Sequence, residues 1–204
     1  MKTGFDMLFV DVDTVVMKNP LYDIIGDADL EIQVDEGKSK DALDIHRSPN
    51  MCAGAFFLKS NRRTLKFLDR MEQALRAGKE DIVDDQHALN FVLHDLNYAR
   101  MINRFQKDEA KTPIGGHADG PGDDRISVRV VPVDAFMNGH ILDNCVKMDV
   151  DKGVMSLLDY DTREVIKELD VSIIHLNGIK KKEEVMRKYR WWILNDDLTC
   201  PLLS

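Results

Sequence analysis

Apolar residues crowd the stretch from Phe5 to Val12, in FDMLFVDVDTVV, and the run breaks on two aspartates, Asp11 and Asp13. With Gly4 at one end and the carboxylates at the other, this is the pattern of a buried strand that delivers polar groups at its tip. DLEIQVD, from Asp29 to Asp35, sets Leu30, Ile32 and Val34 against polar neighbours and predicts a second strand with one wet face. MCAGAFFLKS predicts a third strand, closing at Ser60. From Arg62 to Ala77 the period changes: Leu65, Leu68, Met71 and Leu75 keep helical spacing, and Gly78 marks the stop. A second helix opens at Asp84, whose short carboxylate suits an N-cap, with Leu89, Val92, Leu93 and Leu96 as its apolar stripe.

Residues 107–125, KDEAKTPIGGHADGPGDDR, have no period and are rich in Gly, Pro and acid groups, so a long surface loop is expected there. ISVRVVPV then alternates like a strand, with Pro132 at a sheet edge or a strand end. FMNGH contains Asn-Gly, a strong turn signal. VSIIHLNG is a last apolar run ending on His175, Leu176, Asn177 and Gly178. KKKEEVMRKYRWWIL after it reads as a basic helix, whose Trp191 and Trp192 pack the terminus. Strands mixed with helices imply an α/β domain with a partly parallel sheet, and no internal repeat is present.

Composition narrows the partners. In 204 residues there are 28 basic and 36 acidic side chains, a formal charge of −8, which argues against nucleic acid because a phosphate-tracking surface is normally basic. Cys52, Cys145 and Cys200 lie far apart, giving neither a CxxC zinc signature nor a dense disulfide framework. No apolar run approaches the roughly 20 residues that span a bilayer, so no membrane segment is expected in this chain.

The chemistry gathers at the aspartate pair. Residues two apart on a strand share a face, so Asp11 and Asp13 present two hard oxygen donors on one side, suited to Mg²⁺ or Mn²⁺ with substrate phosphates. The residues alone leave three readings open: a divalent-metal site, a polar strand end solvating a turn, or the nucleophile and general acid of a haloacid-dehalogenase-like phosphatase. FVDVDT resembles that last motif and ILNDD weakly mimics its acidic partner, but VSIIHLN ends in His and Asn where the class needs a Ser or Thr.

Four blocks carry a more specific resemblance: DVDTVVMKNPL, NMCAGAFFLKSNRRTLKFLDRM, DDQHALN and HLNGIKKKEEVMRKYRWWIL. Together and in this order they resemble the nucleotide-diphospho-sugar transferase family that includes plant and algal cell-wall arabinosyl-, xylosyl- and galactosyltransferases. The likeness runs from Phe5 to Leu194, with residues 107–125 and 149–170 matching poorly. It implies a GT-A-like α/β fold, with a mixed, mostly parallel sheet flanked by helices. It also implies a metal-dependent enzyme that moves a sugar from a nucleotide-diphosphate sugar to a glycan or glycoprotein acceptor with retention, in the Golgi.

The resemblance also implies residue roles. Asp11 and Asp13 match the metal- and diphosphate-binding motif, and His175 matches a late histidine that completes the metal shell. Imidazole favours Mn²⁺ over Mg²⁺, so Mn²⁺ is expected. Read without the family, His175 is a core histidine at a strand end. Asn50 and Gly54 fall on the acceptor-side strand as substrate-binding positions, although Gly54 is equally a packing glycine. Asp85 and Gln86 fall at the catalytic position, where Asp85 binds the donor sugar or steadies charge at its anomeric carbon, or else forms an N-cap pair with Asp84. Within Lys180, Lys181 and Lys182, Lys181 and Lys182 are the substrate-binding choices, set to neutralise the departing diphosphate; as a bare run they are a solvated helix face.

One departure from the family pattern is plain. Its metal motif normally follows a complete βαβ region that binds the nucleotide, yet only ten residues precede Asp11 here. The expectation is a single, partial glycosyltransferase domain over 1–204 that lacks the N-terminal nucleotide-binding half. An inactive remnant that acts as a binding protein stands as the non-enzymatic alternative.

Overall fold

A computed structural model of the chain describes residues 4–24, 26–35, 50–78, 81–95, 115–118, 126–132, 135–159 and 161–191. Its largest sheet contains β1 (Met7–Val10), β3 (Leu30–Val34), β4 (Met51–Leu58), β5 (Gly115–Ala118) and β6 (Ile126–Val130), in the order β1-β4-β3-β6-β5. A second sheet has the order β2-β11-β7, from Thr14–Val16, Ile173–His175 and Phe136–Asn138. The third is a meander, β10-β9-β8, from Val165–Leu169, Val154–Leu158 and Val146–Asp149. The helices are α1 (Arg62–Arg76), α2 (Asp85–Asp95), α3 (Gly139–Cys145) and α4 (Lys182–Lys188).

Two helices cover one face of the large sheet. On α1 the buried positions are Thr64, Phe67, Met71 and Ala74, and on α2 they are Ala88, Leu89, Val92 and Leu93. These close on Leu30, Ile32, Val34, Met51, Phe56 and Leu58. At about 1.5–3 kcal/mol for each large side chain taken from water, this cluster is the main apolar contribution to the fold. Asn61 caps α1 in a reciprocal box with Thr64, and Gly78, at φ +58°, stands just beyond its end. The expected stripe on α1 is therefore turned: Leu75 is exposed, and Phe67 and Ala74 take the inward positions.

The opposite face of the large sheet is covered as well, by the β2-β11-β7 sheet, through Ala55, Val131, Ala135, Phe136 and Ile173. This overturns the expected wet face of β3. Glu31 and Gln33 are both fully buried, and Glu31 is matched there by the Arg129 guanidinium. The meander, α3 and α4 pack on the far side of the second sheet, around Met137, Ile141, Leu142, Met155, Leu157 and Ile174.

The mixed α/β architecture is as expected, but the parallel majority is not. Of eight strand ladders among the described residues, only β3–β6 and β7–β11 run parallel. Parallel pairing requires a long crossover, which the helices between these partners supply, and the other six ladders run antiparallel. Three local expectations also change. β1 lies at the sheet's edge and is only partly buried. Asn138-Gly139 makes no hairpin turn: the Asn138 side chain accepts from the Ile141 N–H and caps α3. Within the expected 107–125 loop, Gly115–Ala118 is strand β5, paired with β6. The rest of that loop lies outside the described residues, as do Leu96, Trp192 and the ILNDD segment.

Candidate metal centre

The turn carrying both aspartates bridges two sheets. The Asp11 N–H donates to the Gly54 carbonyl on β4 at 2.9 Å, and the Asp13 carbonyl accepts from the Leu176 N–H just after β11 at 3.0 Å. β11 faces alternate: Ile173 enters the cluster between the sheets, Ile174 the cluster beyond, and His175 turns back toward the large sheet. This brings His175 Nε2 to 3.3 Å from Asp11 Oδ2 and 3.3 Å from Asp13 Oδ1. One ligand atom from each of the three residues lies within 4.8 Å of the others. His175 and Asn138 end the parallel pair β7–β11 on the same side, the end of an α/β sheet where ligands bind.

A local irregularity makes room for the imidazole. On β3 the partners of Ile32 and Gln33 are Phe56 and Cys52, so β4 spends three extra residues, Ala53 to Ala55, in a bulge. Gly54 is at its centre. A Cβ on Gly54 would fall 1.9 Å from His175 Cε1, so only glycine leaves the ring its place. Behind the ring, Cys52 Sγ lies 3.2 Å from Nδ1, and burial pushes that thiol up to about 12.

The two carboxylates are tuned apart. Burial raises the Asp11 carboxyl above its ordinary value, and the charges of Asp13 and Asp85 add to the rise against the pull of His175. Burial also pushes Asp13 upward, but the hydrogen bond from Lys182, with nearby His175 and the Lys182 charge, outweighs it and holds Asp13 low. The Lys182 Nζ–Asp13 Oδ2 distance is 2.6 Å. Lys182 opens α4 after a loop that turns at Gly178, φ +71°. An open groove of about 470 Å³ alongside is lined by Lys180, Lys181, Lys182, Glu183, Glu184 and Arg187. Lys181 is tied to Glu184 at 2.9 Å within it.

At the start of α2 the two aspartates divide their work. Asp84 accepts from the His87 N–H at 2.9 Å and is the cap, while Asp85 stays exposed with its charge felt at Asp11. Gln86 reaches under β4: its Oε1 accepts from Ala53 N–H at 2.6 Å and its Nε2 donates to the Met51 carbonyl at 2.5 Å. Both halves of its amide thus hold the bulged strand. Asn50 is exposed just before β4, its carbonyl accepting from the Asp35 N–H at 2.7 Å.

Two further residues at the site have no functional signal in the sequence. Cys52 carries only a disulfide or zinc reading in the sequence, and no local spacing ties it to His175. Asn177, beside His175, donates to Asp35 at 2.6 Å and accepts from the Gly139 N–H at 2.9 Å, pinning the loop that carries the imidazole.

Two carboxylates on the turn between β1 and β2 and an imidazole at the end of the parallel pair β7–β11 form a donor set that fits a divalent cation, with a lysine-lined groove beside it. Residues 1–188 match the nucleotide-diphospho-sugar transferase family, and the chain belongs to it. It is 26% identical over 202 residues to UDP-galactose:fucoside alpha-3-galactosyltransferase of Dictyostelium discoideum, a match covering 97% of this chain and 26% of that protein. The chain thus spans about a quarter of the length of this curated relative. No solved structure matches. Among the described residues, no helix is long and apolar enough to cross a membrane.

Proposed function

We propose that the chain provides the metal- and diphosphate-binding part of a retaining glycosyltransferase that moves a sugar from a nucleotide-diphosphate sugar to a glycan or glycoprotein acceptor. The observation that carries this reading is the convergence of Asp11, Asp13 and His175 ligand atoms within 4.8 Å. Their donor set, two carboxylate oxygens and one imidazole nitrogen, fits Mn²⁺ better than Mg²⁺. Such an ion, when bound, supplies Lewis-acid stabilisation to a departing diphosphate.

The chain's own residues do the rest. Lys182, already paired with Asp13, and Lys181 at the groove stand where negative charge on the leaving group needs balancing. Asp85, whose charge is felt at Asp11, is the acidic side chain that binds the donor sugar or steadies charge at its anomeric carbon. Gln86 acts as a support for the β4 bulge, and Gly54 as the clearance for His175. Asn50 is the acceptor-side residue at the entry to β4. Nothing in the group is set as a covalent nucleophile, so positioning and charge balance do most of the work. Residues 1–204 act within one glycosyltransferase domain, and the Golgi lumen is its place in the same proposal. The phosphatase reading of Asp11 and Asp13 is set aside, since the family match covers both residues and the block around His175.

The test is donor hydrolysis. Incubated with UDP-galactose and other nucleotide sugars plus Mn²⁺, the chain should release nucleotide slowly, and Asp11→Asn or Asp13→Asn should abolish the release. Absence of both hydrolysis and nucleotide binding would overturn the transferase reading and leave the binding remnant.

A further inference from the structure

The imidazole that joins the two carboxylates is gripped from behind by a residue outside the family-matched roles. Cys52 is buried on β4, and its Sγ lies 3.2 Å from His175 Nδ1, on the far side of the ring from Asp11 and Asp13. The same sulfur receives Asn177 Nδ2 at 3.9 Å, and that amide is fixed by Asp35 Oδ1 at 2.6 Å and by the Gly139 N–H at 2.9 Å. The sulfur is therefore held between a rigid amide and the ring. Gly54, two residues on, sets the ring's position from the side, because any Cβ there would meet Cε1 at 1.9 Å.

A ring with one nitrogen engaged by a fixed partner presents its other nitrogen in one direction and in one tautomeric arrangement. Residues placed this way behind metal-binding histidines are worth roughly ten- to a hundred-fold in metal affinity. We propose that Cys52 is a positioning residue for the metal centre: through its hydrogen bond to Nδ1, it aims His175 Nε2 at the space between Asp11 and Asp13. This rests on the metal reading above. A thiol serves because its sulfur accepts weakly from Nδ1–H, which leaves the Nε2 lone pair facing the carboxylates. It is also small and apolar enough to sit between two sheets.

Packing and hydrogen bonding predict opposite rankings of two variants. If Cys52 only fills space, Cys52→Ala should be tolerated better than Cys52→Ser, which buries a hydroxyl among apolar neighbours. If it aims the ring, serine should restore what alanine loses. The measurements are Mn²⁺ affinity, from the electron paramagnetic resonance of free Mn²⁺, and nitrogen-15 shifts of the His175 ring in the metal-free chain. Expected is one Mn²⁺ site in the parent, at least about ten-fold weaker binding in Cys52→Ala with altered ring shifts, and recovery of both in Cys52→Ser. Should the alanine variant not fold, Cys52→Val makes the same comparison. Tight binding by the parent, matched by alanine or lost equally in serine, would overturn the role of Cys52 alone. Failure of the parent itself to bind Mn²⁺ would overturn the metal reading and this inference with it.

Discussion

The His175 imidazole occupies the space that a side chain on Gly54 would fill, with Cε1 1.9 Å from the position of a Cβ. Gly54 needs no left-handed backbone, so its substitution by alanine is a purely steric change at the ring. The backbone is tied here, because the Gly54 carbonyl accepts from the Asp11 N–H at 2.9 Å. Gly54→Ala should therefore displace His175, abolish Mn²⁺ binding and cost about 1–3 kcal/mol of stability. In a His175→Ala background the same substitution should cost much less, and a double-mutant cycle on thermal unfolding reads the difference.

Lys182 meets the site from the other side. Its ammonium, 2.6 Å from Asp13 Oδ2, balances one carboxylate in the metal-free protein and repels a cation that would sit there. Lys182 is partly exposed, so the repulsion is about 1 kcal/mol at most. Lys182→Met should bind Mn²⁺ alone up to roughly five-fold more tightly, while raising the KM for the nucleotide sugar through loss of a diphosphate contact. Calorimetry with Mn²⁺ and steady-state donor hydrolysis separate the two effects. Weaker metal binding in this variant would show Lys182 to be a structural prop of Asp13.

The convergence of Asp11, Asp13 and His175 was legible in the sequence, because an apolar run leads into Asp-x-Asp and the ordered blocks tie it to His175. Its surroundings were not. Cys52 has no spacing partner in the chain, and it reaches His175 only because β4 bulges by three residues between the partners of Ile32 and Gln33. Asn138-Gly139 carries the residues of a hairpin turn, yet it caps a helix, because Gly139 is pressed against the Asn177 carbonyl; a Cβ would come within 2.3 Å of that oxygen. Both features depend on contacts between segments far apart in the chain, which no local pattern encodes. The alternation of β3 failed for a related reason: it assumed solvent on a face that another sheet covers.

That covered face contains a buried ion pair whose cost can be read. Arg129 Nη1 meets Glu31 Oε2, and both side chains are almost wholly buried; Glu31 Oε1 also accepts from the Gly26 N–H at 2.5 Å. Removing only the cation leaves a carboxylate without its counter-charge between two sheets. Arg129→Met should cost about 3–5 kcal/mol, or roughly 10 °C in Tm for a chain of this size. Glu31→Gln added to it should recover a large part, since the amide oxygen still accepts from Gly26 and no charge is buried. Thermal unfolding of the single and double variants decides this, and equal losses in the two would mean that hydrogen-bond geometry outweighs charge at this position.

A second anchored carboxylate makes the fold sensitive to acid. Asp29 is buried where β3 begins and accepts from Arg63 Nε at 2.8 Å and Nη2 at 2.7 Å, from Asn61 Nδ2 at 2.7 Å, and from the Ser127 N–H at 2.9 Å. Burial alone would raise its pKa, but the hydrogen bonds from Arg63, Ser127 and Asn61 outweigh burial and bring it from 3.8 to about 2. A carboxylate with a lower pKa folded than unfolded stabilises the fold above the unfolded value, and its contribution is lost as the pH falls through the folded value. That contribution is about 2 kcal/mol, present in full at neutral pH and lost between about pH 4 and pH 2. Asp29→Asn should lower stability at pH 7 by about 2–3 kcal/mol, since the amide gives up charge-assisted bonds to Arg63 and the Ser127 N–H. The gap between parent and variant should then close as the solution is taken toward pH 2. Urea unfolding across that range measures it, and a gap that stayed constant down to pH 2 would place the effect in packing at Asp29 instead of in its charge.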